Sequence, residues 1–587
     1  MNAFIDYLNS MHNSSGDSLG ALAERQIQSS YSPLCHVSRR LGKIIAGQIR
    51  DGVHAAYIIT GHAGDGKTSI LVQVLRELGM IRPGELLERE KNCSGDNGDL
   101  YYVKDMSEVR LEQRVTYLRK ALHAPLRKMS SILISNTGPL LSTFEDLLKS
   151  DCEQAGETYD EMVRRANQTE LLDQLDTNHG TIRTIGGYSF YMINIARIDN
   201  VSFAQDFLTK ILNDDLWKPC EDCQKKANCP VRRNYEHVKH NEGRVATFIN
   251  AYLRYTYEFD QRLTIRQIQA QLCYALTGGI TCKDIVPYRS YSSLKYGFPN
   301  LFFGYGNNEA NDAALKMKAI RVLHDLNLDA AALPIDYDLF VKGRTDFFPE
   351  DIRAILEAEI LPDLKKLNRS SDDEVRHRNQ KAIALRKSLR RYYLMFGDAS
   401  QDEIFDCVFG KGFSLYEDVA AHAGLPKPKL NRIRDTIFNA LYLNNTGFLP
   451  HTSSDHQVPL TLHRKDGMYQ SVMLVLGHVS KGELGIFQRA KGGYFEDDQT
   501  RQRVILETRG HSFDISLPLF LYFVRQSCGA VTTVSNPALT HNIARLETLL
   551  ADVFKNPENS DIELLINTTK GQQYQRLYIN EDKIHLD

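Results

Sequence analysis

At 587 residues the chain is longer than one ordinary core requires, so two to four domains are expected. Its 42% hydrophobic and 25% charged residues are those of a soluble globular protein, and apolar runs such as Ala55–Thr60 and Ser131–Ser135 are too short to cross a bilayer. A net charge of −2 excludes a global field that would gather nucleic acid, although a local basic face stays open.

The N-terminal stretch MNAFIDYLNSMHNSSGDS has no basic flank followed by an apolar run, so no secretory signal is read there and a cytoplasmic location is expected. In a cytoplasmic chain, ten cysteines point to metal ligands or plain burial rather than disulfides. Polar sequence leads into a helix over Ser38–Arg50, which delivers the chain to a buried-type strand, Ala55–Thr60 (AAYIIT). A glycine-rich loop and a helix to Leu78 follow. Three further apolar runs are then separated by helical stretches: Leu100–Lys104 (LYYVK), Ser131–Ser135 (SILIS) and Ser189–Ile195 (SFYMINI). Strands alternating with helices predict an α/β core whose parallel sheet is flanked by helices on both faces.

From Asn241 to Leu276 the apolar spacing is helical, with Val245, Phe248, Ile249 and Leu253, then Ile265, Ile268, Leu272 and Leu276, which fits a helical lid. Residues 300–455 continue mostly helical. Val458–Arg464 and Met468–Val475 read as a hairpin around Lys465-Asp466-Gly467. A helix near Asn542–Phe554 precedes a second hairpin, Ile562–Asn567 with Tyr574–Ile579, around Lys570-Gly571. The expected organisation is an N-terminal helical segment (1–50), a P-loop NTPase core (51–215), a cysteine cluster and helical lid (216–300), a helical region (301–455) and a C-terminal α+β module (456–587). No repeat of fixed period and no long low-complexity tract interrupts it.

Gly61-His62-Ala63-Gly64-Asp65-Gly66-Lys67-Thr68, followed by Ser69, satisfies the G-x-x-x-x-G-K-[ST] pattern between a β-branched strand and an amphipathic helix. Glycines at 61, 64 and 66 permit positive φ, so backbone N–H groups can converge on a phosphate at a helix N-terminus. Lys67 would contact the β- and γ-phosphates and Thr68 would coordinate Mg²⁺. Such a loop grips ATP or GTP but needs a second acid for the metal and a group to orient water. Asp105, ending LYYVK, and Glu108 are the candidates, with Asp105 open to the alternative of capping the next helix. Asn136, after SILIS, stands where a polar sensor of the γ-phosphate is expected, or where an Asn suits a turn before glycine. Asn194 and Arg197 raise the same choice after SFYMINI, and Arg244 and Arg266 are candidate sensor or trans-acting arginines.

Cys220-x2-Cys223-x5-Cys229-Pro230 supplies three thiols at chelating spacing, and Cys282, ahead of His237, His240 and Cys273, is the preferred fourth ligand of a structural Zn²⁺. Cys35, Cys93, Cys152, Cys407 and Cys528 are scattered and read as core residues. Arg376, Arg378, Lys381, Arg386, Lys387, Arg390 and Arg391 crowd one helical stretch after Asp372-Asp373-Glu374, either a face for DNA or an acidic partner or a solvated helix surface.

Together GHAGDGKTS, KDMSE, ILISNTG, CEDCQKKANCP, and RVATFIN followed by LTIRQIQAQLCYALTGG resemble the ATPases of bacterial anti-phage defence operons, over residues 50–285. The resemblance is to the DptF-type ATPase component of phosphorothioation-dependent restriction, with P-loop proteins of BREX-type systems as relatives. It implies an ATPase using Mg²⁺ that works as an oligomer within a multi-subunit cytoplasmic complex. There it would gate a nuclease or helicase-like partner and meet DNA through such partners, with no membrane involved. A signalling switch of the STAND type, or a subunit that binds nucleotide without turning it over, are the alternatives.

Overall fold

In the computed structural model the apolar runs of the first half become strands of one sheet; the structure describes all residues except 13–28, 83, 97, 157–158, 160, 178–179, 308, 370–374, 399–400, 425, 451–455, 463–469, 530–535, 556–561, 569–570, 581–582 and 587. The strands are β1 (Ala56–Thr60), β2 (Glu90–Gly95), β3 (Gly98–Val103), β4 (Ser130–Ser135), β5 (Arg183–Ile185) and β6 (Tyr188–Asn194), in the order β2-β3-β4-β1-β6-β5. The four central strands run parallel, as their two-sided apolar character predicts. The sheet as a whole is mixed, which corrects the expectation of an all-parallel one: β2 pairs antiparallel with β3, and β5 with β6. Both edge strands return through short connections, so no crossover helix is needed.

Alternation along the strands divides the core. Tyr57, Ile59, Tyr102, Ile132 and Ile134 pack beneath helices Arg40–Arg50 and Lys67–Glu77. Ala56, Ile58, Tyr101, Leu133 and Met192 face helices Leu111–His123, Thr137–Ala155 and Glu161–Thr177. Tyr57 and Tyr191, partners across β1 and β6, stack with ring centroids 5.1 Å apart.

Helices Glu242–Glu258 and Ile265–Thr277 form where the apolar spacing predicts, and a Thr264/Gln267 capping box starts the second. Against that second helix lies the helix Ala3–His12, where polar sequence is expected. Phe4, Ile5, Leu8 and Met11 make its buried face, Cys273 Sγ donates to Met11 Sδ (3.5 Å), and Asn9 donates to the Ile280 carbonyl (3.0 Å).

The chain forms two compact units, 1–399 with 492–498, and 400–491 with 499–587. In the second, helices such as Lys427–Thr446 and Leu517–Ser527 accompany a five-stranded antiparallel sheet and the three-stranded sheet Gly485–Ala490, Gln502–Thr508, His511–Asp514. Both expected hairpins are present as strand pairs, Gln457–Leu462 with Val472–Ser480 and Ile562–Thr568 with Gly571–Asn580. Residues 465–467 and Lys570 of their turns lie outside the described residues. Gly492–Asp498 belongs to the first unit: Phe495, 2% exposed, joins the core beside Tyr57 and Ile59. In the same segment Asp497 pairs with Arg39 and accepts the Arg40 N–H (2.7 Å). Among the described residues no helix is long and apolar enough to cross a membrane.

His12, buried against Tyr274 and hydrogen-bonded to Asn9 Oδ1 (2.9 Å), has its pKa lowered from 6.5 to about 4 by burial. Between those values the unfolded chain takes up a proton that the folded chain refuses, so stability present above pH 6.5 is lost as the pH falls. The loss at this one side chain should reach about 3 kcal/mol near pH 4. Urea midpoints at pH 7 and pH 4.5 should therefore fall further apart in the wild type than in His12→Gln; an equal fall in both would remove His12 as a cause.

Candidate functional site

β1 ends at Thr60, and the loop that follows stands at the carboxyl edge of the parallel strands, where ligands of open α/β sheets bind. Gly66, in the left-handed region, is the N-cap of helix Lys67–Glu77, and the first N–H bonded back within the helix is that of Ile70, to Gly66 O (3.0 Å). The N–H groups of Lys67, Thr68 and Ser69 therefore have no acceptor inside the helix. At Gly64 the backbone has φ +90°, and a Cβ there would lie 3.1 Å from Thr264 Oγ1 and 3.2 Å from Arg266 Cβ. A side chain here would strain the backbone and press on both neighbours.

The Lys67 side chain is buried, and its ammonium donates to Gly61 O, His62 O and Asn136 Oδ1, each at 2.9 Å. Burial lowers its pKa, Asp105 and Asp65 oppose that, and Arg266 adds to it. Asn136 is the N-cap of helix Thr137–Ala155 but spends its side chain elsewhere: Oδ1 takes Lys67, and Nδ2 donates to Ser107 Oγ (2.9 Å). Asn136 thus joins the loop to the segment after β3, which lies beyond β4 in the sheet.

Asp105 caps the short 3₁₀ turn Met106–Glu108, accepting the Ser107 N–H at 2.8 Å, and acts electrostatically on Lys67. The capping alternative is thus realised through one oxygen, and the second oxygen has no hydrogen-bond partner among the described residues. Glu108 is exposed, and its carboxylate makes no contact with the loop among the described residues. Thr68 is half-buried and its hydroxyl is unpartnered among the described residues, while His62, Ala63 and Ser69 are exposed. A half-buried hydroxyl and a free carboxylate oxygen are donors suited to Mg²⁺.

Two loop partners escaped the sequence reading. Arg262 donates from Nη1 to Asp65 Oδ1 (2.7 Å) and from Nη2 to the Ile195 carbonyl (3.0 Å). Ser107 is the other, and nothing in its sequence context marks it. Arg266 lies beside the loop, its N–H bonded to Gly64 O (3.1 Å), and its half-buried guanidinium has no counter-charge among the described residues. Burial lowers the pKa of that guanidinium.

Arg244 does not share this place. It donates to the Phe396 carbonyl (3.0 Å), pairs with Asp398 (3.3 Å), and lines a cavity of about 500 Å³ with His240, Asp346 and Phe347, whose walls include no residue of the loop 61–66. Asn194 and Arg197 are engaged structurally, Asn194 with the Leu175 carbonyl (3.0 Å) and Arg197 with Asp176 (2.5 Å).

Of the cysteines, Cys220 and Cys282 both meet Asn2: its side-chain amide donates to Cys220 Sγ (3.4 Å), and Cys282 Sγ lies 3.9 Å from its carbonyl oxygen. Cys229, the N-cap of helix Pro230–His240, accepts the Arg232 N–H (3.4 Å). Cys223 and Cys282 act electrostatically on Cys220, and Cys220 and Cys282 on Cys229. Cys273 is committed to Met11, and His237 and His240 face Asp351, whereas Cys282 lies near Cys220 and Cys229. Among the described residues no three His, Cys, Asp or Glu side chains stand as a metal ion would require. Cys407 and Cys528 are exposed rather than core residues.

The basic helix Val375–Phe396 turns much of its charge inward. Arg391 is fully buried on Asp329 (2.8 Å) and the Tyr305 ring, Arg390 pairs with Asp336 (2.5 Å), and Lys387 bonds Asn327 (2.6 Å). The side chains of Arg376 and Arg378, and residues 372–374, lie outside the described residues. The chain matches no protein-family model and no curated protein sequence.

Gly64→Ala should distort the loop where Thr264 and Arg266 approach, destabilising the first unit by about 1–3 kcal/mol. The readout is a lowered denaturant midpoint, and an unchanged midpoint would show that the loop yields freely at this position.

Proposed function

We propose that the chain is a P-loop ATPase and a subunit of a bacterial anti-phage defence or DNA-restriction complex, in which ATP binding and hydrolysis gate partner proteins that process DNA. The setting rests on the resemblance of GHAGDGKTS and the segments after it to such ATPases. The chemistry rests on one observation, the gathering of Gly61 O, His62 O and Asn136 Oδ1 around the Lys67 ammonium, with Asp105 near enough to act on it.

In this reading Lys67 exchanges loop carbonyls for the β- and γ-phosphate oxygens, and the N–H groups at the start of its helix receive the phosphates. Arg266, a half-buried cation without a counter-charge among the described residues, answers the negative charge of the phosphates. Asn136 reports the γ-phosphate to Ser107. Thr68 and Asp105 would hold Mg²⁺, which when bound neutralises phosphate charge.

A second reading, the STAND-type switch, is favoured by the exposed position of Glu108. With Glu108 exposed, no group is in place to orient water, and binding outlasts hydrolysis in this reading. Steady turnover stimulated by DNA supports the complex ATPase, and slow turnover with assembly triggered by a phage component supports the switch.

Calorimetry of the full chain with Mg-ATP and Mg-GTP tests the common ground, and heat from neither would sink both readings. If ATP binds, Lys67→Ala should lower turnover on the order of 10²-fold or more, by removing a charge aimed at the transferring phosphate.

Zinc at Cys220, Cys223, Cys229 and Cys282 is a separate proposal. It rests on the C-x2-C-x5-C spacing and on the meeting of Cys220 and Cys282 at Asn2, and it requires the four thiols to draw together. Metal analysis should find about one zinc per chain, lost in Cys220→Ser; metal-free folded protein would refute it.

A further inference from the structure

An acid inside a loop that wraps phosphate is electrostatically misplaced, because a bare carboxylate repels the ligand that its neighbouring amides attract. Asp65 occupies that position, and its side chain is fully buried. Its oxygens are divided between two parts of the protein: Oδ2 accepts the His62 N–H (2.9 Å) within the loop, and Oδ1 accepts Nη1 of Arg262 (2.7 Å).

Arg262 lies in the turn between helices Glu242–Glu258 and Ile265–Thr277. With Nη2 it also holds the Ile195 and Ile198 carbonyls just after β6, at 3.0 and 3.4 Å. The same turn meets the loop twice more, through Arg266 N–H on Gly64 O (3.1 Å) and through Thr264 against Gly64. Nearby, the Asn200 amide donates to the Leu263 carbonyl (2.7 Å), which pins the turn to the segment after β6. The phosphate loop, the end of β6 and the lid turn thus share one guanidinium.

We propose that Arg262 is a positioning residue, which fixes the curvature of the phosphate loop through Asp65 and cancels the carboxylate that would otherwise repel a phosphate. The lid turn is then the control point of the loop. While Arg262 holds Asp65, the loop amides left over from the His62–Asp65 bonds, those of Ala63, Gly64 and Gly66, meet an anion without opposition; once the turn withdraws, the loop loses both its brace and its neutralising charge. The consequence for nucleotide rests on the P-loop reading above, whereas the brace itself does not.

Amide hydrogen exchange of the full-length, nucleotide-free protein tests the brace directly. In peptides covering residues 60–66, Arg262→Gln should raise exchange by about tenfold or more, and Arg262→Lys, which keeps the charge, should raise it less. Asp65→Asn removes the charge that calls for the arginine, so Asp65→Asn/Arg262→Gln should exchange no faster than Asp65→Asn alone. Exchange in Arg262→Gln equal to the wild type, or strictly additive effects in the double variant, would overturn the proposal. If Arg262→Gln does not fold, Arg262→Lys and Asp65→Asn carry the same comparison. Mg-ATP calorimetry on these variants supplies the functional arm: affinity should fall by about tenfold in Arg262→Gln and recover in the double variant. A wild type that binds no ATP would defeat the P-loop reading and leave the brace to be judged on exchange alone.

Discussion

An ammonium withdrawn from water has to be met by oxygen, and the turn Gly61–Gly66 is shaped around meeting that of Lys67. Two of its three acceptors are carbonyls of the loop itself, and the third comes from Asn136. The sheet order makes the third possible. Ile59 stands level with Ile134 on β4, and Tyr102 of β3 with Ile132, so the carboxyl ends of three parallel strands reach one edge together. An antiparallel strand between β1 and β4 would bring an amino end to that edge and leave Lys67 a buried, underpaired cation. The antiparallel strands are at the outside, where they cost the site nothing.

Two buried ion pairs, Arg254 with Asp199 and Arg262 with Asp65, fix the helical part against this edge, and a third, Arg391 with Asp329, ties the helical part to itself; all six side chains are at or below 15% exposure. Such pairs add little net stability, but removing one partner typically costs about 3–5 kcal/mol, because a lone charge stays behind. They therefore act as registers, penalising any arrangement in which the partners miss. Arg254 and Arg262, at the end of one lid helix and in the turn after it, both bind the segment that follows β6, so the lid cannot rotate without breaking two charges free.

Legibility in the sequence followed the range of the physics involved. The central strands announce themselves as short apolar runs and the loop as a glycine pattern, both local signals. Asn136 and Asp105 could be proposed because strand ends converge in any parallel sheet. β2, reading EKNCSG, could not, since an edge strand with one buried residue carries no hydrophobic period. Helix Ala3–His12 was hidden by its polar neighbours, although Phe4, Ile5, Leu8 and Met11 recur at helical spacing. Arg262, Ser107 and the segment Gly492–Asp498 were out of reach for a different reason: each matters through a partner distant in the chain, and pairing of that kind leaves no trace in local composition. The basic helix misled in the opposite direction, because local charge gave no sign of Asp329 and Asp336.

The distribution of oxygen and nitrogen around Lys67 bears on what a bound triphosphate would accomplish. One oxygen of Asp105 is committed to Ser107, both polar atoms of Asn136 are committed, and Glu108 is exposed. Groups that hold phosphate are abundant and groups that orient water are few, which suits prolonged occupancy better than fast cleavage. Occupancy alone can do work when a ligand binds one conformation better than another. In the proposed brace the turn 259–264 would supply that difference, since Arg262 meets Asp65 and Arg266 N–H meets Gly64 O where the turn lies on the loop. In the proposed ATPase, nucleotide binding would thus be coupled to closure of that turn before any hydrolysis, and the two helices flanking the turn are the elements whose position binding would report.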